Sequence, residues 1–317
     1  MIHVGVIGYR NHALRLIEIA NEHKLCNVKY IYHPSKNLGS NLSSTNDIKD
    51  LFSCDIVVIA SPSNTHYEYI IKIIKNSKAF IFCEKPPVTK KSNLKALNNL
   101  SDEEKSRIYF NFNMRFSFLS DILQDKSILK HIGQIHNIEI INSHGLAFKQ
   151  EYDKSWRADG KENLHAITET VAIHYIDILQ FIFGDIVDYS YYPSITAKTG
   201  TAYDSALINL KFDSTTASIY TSYASPLINE ITILGTNGYI KIENNKLSVF
   251  SPRDTFTKEG FFVKPPIVID KNIVTNNYKE SLTRSFDFFI DNIRKKSLPL
   301  KYYDASVASN KFILDMV

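Results

Sequence analysis

The first third of the chain alternates continuous apolar runs with amphipathic segments. Val4 to Ile7, Val28 to Tyr32, Ile56-Val57-Val58-Ile59-Ala60 and Ala79 to Cys83 lack the polar alternation of a half-exposed strand, as expected for parallel strands covered on both faces. Between them, Ala13, Leu16, Ile17 and Ala20 recur at helical spacing, as do Tyr67, Ile70, Ile71 and Ile74. Repeated strand-helix alternation predicts an α/β domain with a doubly wound, Rossmann-type parallel sheet, whose ligands bind outside the carboxyl ends of the strands. Gly8, His33, Ser61 and the pair Glu84-Lys85 fall at those ends.

After Arg115 the pattern changes to period two. It runs through Ile138 and Ile140, through Ala206, Ile208, Leu210 and Phe212, and through Ala217, Ile219, Thr221 and Tyr223. Ile231 to Leu234 and Tyr239 to Glu243 flank Thr236-Asn237-Gly238 and predict an antiparallel pair. The expected second domain is therefore α+β, built on a large, open, mostly antiparallel sheet. Residues 1–117 are assigned to dinucleotide binding and 118–317 to substrate binding and oligomerisation. Leu282, Phe286, Phe289, Ile290 and Ile293 predict an amphipathic late helix, and the last helix is free to pack back on the first domain. Polar Ser35 to Asn46 and Lys271 to Asn277 are expected to be loops.

The turn Gly8-Tyr9-Arg10-Asn11-His12-Ala13 joins a strand to a helix, which presents unpaired amides and a positive dipole end to a phosphate. In the G-x-G-x-x-G/A fingerprint Gly8 and Ala13 hold the first and last places, while Arg10 replaces the glycine that lets backbone approach a pyrophosphate. Arg10 either fills that space or swings out to bind the phosphate itself. About 20 residues further on, where a carboxylate commonly reads the ribose of NAD, stand His33-Pro34-Ser35-Lys36. These favour NADP over NAD, with a plain polar turn as the alternative.

Burying a lysine is costly unless something pairs with it, so Lys85, between Glu84 and Pro86-Pro87, is expected to face a cleft. Taken alone it reads equally as a surface pair before a proline stop; the three other strand-end loops place it on a cofactor crevice.

Charge and cysteines narrow the class. A net charge of +4, with no basic tract beyond Arg294-Lys295-Lys296, argues against nucleic acid and permits an anionic small molecule. Cys26, Cys54 and Cys83 lie in or beside apolar runs and suggest buried thiols in a reducing compartment, with no disulfide framework and no metal. The chain enters a strand pattern at once and shows no leader or membrane span, so a cytoplasmic protein is expected.

Several ordered motifs resemble the Gfo/Idh/MocA family of glucose-fructose oxidoreductase and inositol dehydrogenase. They are Ala60-Ser61-Pro62-Ser63-Asn64-Thr65-His66, Cys83-Glu84-Lys85-Pro86, Asn113-Met114-Arg115-Phe116, His131-Ile132-Gly133-Gln134-Ile135, Ser155-Trp156-Arg157 and Ile173-His174-Tyr175-Ile176-Asp177. The resemblance implies reversible hydride transfer between nicotinamide and a carbon of a sugar or nucleotide-linked sugar. It also implies a dimer or tetramer formed through the second-domain sheet. The expected cofactor contacts are Gly8, Tyr9, Arg10, Asn11, His33, Ser35, Lys36, Ser61, Pro62, Asn64, His66, Glu84, Lys85 and Arg115.

In the family, an aspartate usually stands four residues before the histidine that matches His174. Here that place holds Thr170, and His165 replaces a glycine. The resemblance makes His174 the base and Lys85 the donor to the reacting oxygen, with Lys85 as proton carrier the alternative. Trp156 and Arg157 would line the sugar site, or else anchor a domain interface, and His165 would help select substrate. Arg10 and Thr170 motivate a rival reading, a catalytically silent nucleotide or sugar sensor on the same fold.

Overall fold

The computed structural model describes residues 1–35, 43–273 and 277–317, in two compact units. One comprises residues 1–116 together with 278–315; the other comprises 117–277 and the last two residues.

The first unit holds six parallel strands: β1 (Ile2–Ile7), β2 (Cys26–Tyr32), β3 (Ser44–Thr45), β4 (Ile56–Ile59), β5 (Phe80–Glu84) and β6 (Ile108–Asn111). Their spatial order is β3-β2-β1-β4-β5-β6, the doubly wound arrangement expected of the apolar runs. The stretch expected as a loop contains β3, which pairs with Ile31 and Tyr32; residues 36–42, and with them Lys36, lie outside the described residues.

Helix α1 (Asn11–Glu22) buries Ala13, Leu16, Ile17 and Ala20 as its spacing predicts. Leu16, Ile17 and Ala20 share one core cluster with Val4, Val6, Ile56, Val58 and Phe82, and with Leu282, Phe286, Phe289 and Ile290 of the helix Asn277–Arg294. Phe82 meets Phe286 and Phe289 edge-on at centroid distances of 5.5 and 5.3 Å. Fully burying one such ring contributes roughly 1.5–3 kcal/mol, so the late amphipathic helix is a substantial part of the first unit's core.

The second unit is built on eight strands: β7 (Ile135–Ser143), β8 (Asp188–Ser194), β9 (Ser205–Lys211), β10 (Thr216–Ser222), β11 (Ile228–Gly235), β12 (Tyr239–Glu243), β13 (Lys246–Phe250) and β14 (Ile267–Asn272). All neighbours are antiparallel except β7 and β10. The period-two positions Ile138, Ile140, Ala206, Ile208, Leu210, Ala217 and Ile219 are buried, and β11 and β12 form the hairpin expected around Gly238.

Lys271 and Asn272, expected in a loop, belong to β14. This is an edge strand with mostly exposed side chains, held by backbone pairing to β13 and by Lys246 at 2.8 Å from Asp270. The strand begins with Ile267-Val268-Ile269 and turns polar at Asp270-Lys271-Asn272; that charged end discourages pairing with other chains and carries no hydrophobic alternation that would mark it as strand. No helix of the described residues is long and apolar enough to cross a membrane.

Candidate functional site

At the β1 to α1 turn, Gly8 has φ +113°, and a Cβ built there would lie 2.6 Å from the Ala60 carbonyl oxygen. Only glycine meets both demands. Arg10 sits at φ −102° and ψ 175°, extended backbone open to any residue, so its side chain is compatible with the turn. It caps α1 without a side-chain hydrogen bond, and the first turn carries no acidic residue. The leading amides of Asn11 and its successors are thus left to a phosphate, with the Arg10 side chain exposed beside them. Tyr9 packs partly against the core beneath.

At the end of β2 the Ser35 amide donates to His33 Nδ1 at 3.2 Å. Beyond β4, Ser61 and Thr65 share a hydroxyl bond of 2.7 Å, and Pro62 and Asn64 are exposed on the same turn. His66 was expected at the cofactor. Its ring is buried, with Nδ1 2.9 Å from the Pro86 carbonyl oxygen and Nε2 3.0 Å from that of Ser61. Burial pushes its pKa down against the pull of those two carbonyls. The ring therefore ties the loop after β4 to the loop after β5 and shapes the crevice from behind.

At the end of β5, Glu84 is buried, with its Oε1 2.8 Å from His12 Nε2 and accepting from Asn111 Nδ2 at 2.7 Å. Ser285 donates to Asn111 Oδ1 at 2.7 Å, and since its single hydrogen is used there, Tyr109 donates to Ser285, also at 2.7 Å. Burial pushes the Glu84 pKa up; His12, Asn111 and Lys85 outweigh it and hold the group below its ordinary value. Lys85 follows this fixed carboxylate, half-buried. Arg115, expected at the cofactor, is buried 5.1 Å from the Phe112 ring centroid and donates to the Tyr302 carbonyl at 3.2 Å, anchoring the C-terminal helix Leu300–Met316.

In the second unit the stretch before the helix Ile173–Phe183 is a π-helical turn, Thr168–Ala172. Such turns are rare and concentrate at functional sites. The wider turn departs from the α-helical spacing expected between Thr170 and His174. Thr170 donates to the Ala166 carbonyl and bonds the Tyr223 hydroxyl. The guanidinium of Arg157 stacks over Trp156 at 4.5 Å and reaches the same hydroxyl. Tyr223 is 2% exposed; burial raises its pKa while Thr170 and Arg157 pull against the rise.

The His144 ring lies 5.2 Å from that of Tyr223, and its pKa is lowered by burial and by the charges of Lys149 and Arg157. His165 stands in a neighbouring group, with Nδ1 2.8 Å from the Tyr191 hydroxyl, itself 3.0 Å from Thr168 Oγ1. His174 is half-buried at the start of its helix, and Asp177 is fully buried one turn on.

Gly8, Arg10 and Asn11 share the turn before α1, and Trp156, Arg157 and Thr170 lie about Tyr223, whereas His165 stands with Tyr191, and His66 and Arg115 are engaged by backbone carbonyls. Sequence reasoning missed His12, Asn111, Tyr223 and His144. His12 stood in view inside the fingerprint, and Tyr223 had been read only as a strand-core position.

Residues 2–112 match the family model described as the oxidoreductase family with NAD-binding Rossmann fold, and residues 129–241 match the GFO/IDH/MocA C-terminal domain. The chain is 24% identical over 267 residues to inositol 2-dehydrogenase of Rhizobium meliloti (strain 1021), covering 81% of this chain and 76% of that protein. It is 25% identical over 198 residues to 2,7-anhydro-N-acetylneuraminate hydratase of Escherichia coli (strain K12), covering 59% of this chain and 50% of that one. An oxidoreductase from Agrobacterium radiobacter, solved in complex with NAD+, L-tartaric acid and magnesium, superposes with a TM-score of 0.79 at 19% identity. The match covers 98% of this chain and 94% of the other and shows the shared fold.

Proposed function

The chain belongs to the Gfo/Idh/MocA family of NAD(P)-dependent oxidoreductases acting on CH–OH groups, and we propose that its substrate is a sugar or nucleotide-linked sugar whose hydroxyl proton is handled by Lys85 and His174. When bound, the nicotinamide supplies the hydride acceptor or donor. The residues of the phosphate turn fit such a cofactor: Gly8 admits close backbone approach, and the leading amides of α1 face outward without a side-chain cap. His33 and Ser35 at the end of β2 offer no carboxylate, which supports NADP over NAD.

As a carbon loses hydride its hydroxyl must lose a proton, so a group near neutral pKa has to stand within hydrogen-bond reach. His174 takes that proton, and Lys85 donates to the oxygen and stabilises its developing charge. The observation that carries this reading is the setting of Lys85. It extends from the carboxyl end of a buried parallel strand, beside a carboxylate fixed by His12 and Asn111. The exposed Tyr192 and Ile141, which share one face of the eight-stranded sheet through the register of β8, β9, β10 and β7, support assembly as a homo-oligomer through that face.

The test is direct. NADPH and NADH binding is followed by fluorescence, and turnover at the nicotinamide absorbance band with a panel of sugars, polyols including inositol, and sugar nucleotides. Turnover lost in both Lys85→Ala and His174→Ala supports the mechanism; turnover that survives both overturns it. Cofactor binding with no turnover across the panel replaces the enzyme by a sensor.

A further inference from the structure

We infer that the sugar substrate carries an anionic oxygen group, carboxylate or phosphate, which is bound by the Arg157 guanidinium beside Tyr223 and Thr170. The inference rests on the proposed reading of the second unit as the substrate domain, and it adds the class of substrate.

The hydrogens of this cluster can be assigned one by one. Thr170 has a single hydroxyl hydrogen, and it goes to the Ala166 carbonyl. In the bond between Thr170 and Tyr223 the donor is therefore Tyr223. The tyrosine oxygen is left as an acceptor, and the Arg157 guanidinium stands close enough to draw the Tyr223 pKa down. The row runs in one direction, phenol to threonine to backbone carbonyl, and it contains no negative charge. A guanidinium has five N–H donors; a phenol oxygen occupies little of that capacity, and the Trp156 ring covers a face of the guanidinium plane rather than its donor edge.

Among the described residues Arg157 forms no ion pair. Asp204, which lies near enough to influence Tyr152, is engaged by the amides of Thr196 and Ala197 and by the Ser205 hydroxyl. Glu169, next to Thr170 in the chain, bonds Asn163 and its pKa is raised by burial; Lys149 is exposed, and His144 faces Tyr223. The fields of Lys149 and Arg157 both oppose protonation of His144, which places the three groups within one electrostatic neighbourhood.

A half-buried guanidinium that meets only neutral oxygens forgoes its strongest bonds. A carboxylate or phosphate oxygen supplies them, with the two-pronged geometry that arginine favours. The Tyr223 and Thr170 hydroxyls contribute no charge that would repel the incoming anion.

The experiment measures equilibrium binding by calorimetry, with and without saturating NADP or NAD, so that it does not depend on turnover. Uronic and aldonic acids, sugar phosphates and their neutral counterparts form three arms, and the preferred acidic arm tells carboxylate from phosphate. Expected is binding of one acidic class at least tenfold tighter than its neutral counterpart. Arg157→Met abolishes that preference and Arg157→Lys restores part of it. Thr170→Asp, which places a carboxylate beside the guanidinium, weakens the acid by roughly thirtyfold while leaving neutral sugars within threefold.

Equal or tighter binding of neutral sugars, no binding of any acid, or a preference unchanged in both Arg157→Met and Thr170→Asp overturns the inference. Acidic sugars bound without turnover would count against hydride transfer and leave the anion site standing. Turnover of neutral sugars alone would do the reverse.

Discussion

Two rows of hydrogen bonds, one in each unit, are alike in construction and opposite in charge. In the first unit Tyr109, Ser285 and Asn111 pass their hydrogens toward Glu84, whose far side meets His12. In the second, Tyr223 and Thr170 pass theirs toward the Ala166 carbonyl, with the Arg157 guanidinium beside the phenol. The first row ends on a buried carboxylate that meets His12, Asn111 and the neighbouring Lys85. The second stands beside a cation that forms no ion pair among the described residues. A buried charge without a counter-charge is costly, and a satisfied one is rigid. The first row is therefore finished as a scaffold, whereas the second is completed by what it binds.

The largest effects should fall on the two residues proposed to handle the proton. Lys85→Ala and His174→Ala are each expected to lower kcat by about 10²–10⁴-fold with unchanged circular dichroism; a retained kcat would remove the reason for comparing the rows at all. Next comes Gly8→Ala, which needs a positive φ and meets the Ala60 carbonyl. It should destabilise the protein by about 1–3 kcal/mol in a urea titration and abolish cofactor fluorescence binding.

His12→Ala probes the scaffold directly. Removing this close contact of a buried carboxylate should cost about 2 kcal/mol. Because the folded pKa of Glu84 lies below its ordinary value, its stabilisation is present above that ordinary value and is lost as pH falls through the folded one. Removing His12 raises the folded pKa, so the acid-unfolding midpoint should move to higher pH. A midpoint that stays put would mean that Asn111 and Lys85 alone hold the carboxylate ionised.

The smallest effects discriminate best. Tyr109→Phe should cost about 1 kcal/mol of stability and leave substrate KM unchanged, whereas Tyr223→Phe should raise KM more than it lowers Tm. Reversal of that split would exchange the two roles.

Much of this was legible in the sequence because it depends on local pattern. The continuous apolar runs became the parallel sheet, the period-two runs became the open sheet, and the strand-end position of Lys85 followed from the run before it. What escaped depends on partners distant in the chain. The stripe at Phe286 and Phe289 announced a helix but not the unit it completes. His66 looked like a cofactor ligand until its two carbonyl partners were seen, and Arg115 until its place against Phe112 and Tyr302 was known. Tyr223 was rightly expected to be buried, yet its role comes from the direction of its hydroxyl, which periodicity does not encode. A π-helical turn leaves no hydrophobic signature that separates it from an α-helix.

The split composition of the first unit has a consequence for synthesis. Its sheet is translated first, but Leu282, Phe286, Phe289 and Ile290 emerge only after roughly 160 further residues. At about 5–20 residues per second, the nascent nucleotide-binding half waits on the order of 10–30 s with the faces of Phe82 and Leu16 uncovered. The second unit, whose sheet is complete before the late helix is made, can fold in that interval. Premature termination near residue 280 would thus release a chain with the sheet of the second unit complete and the core of the first unit uncovered.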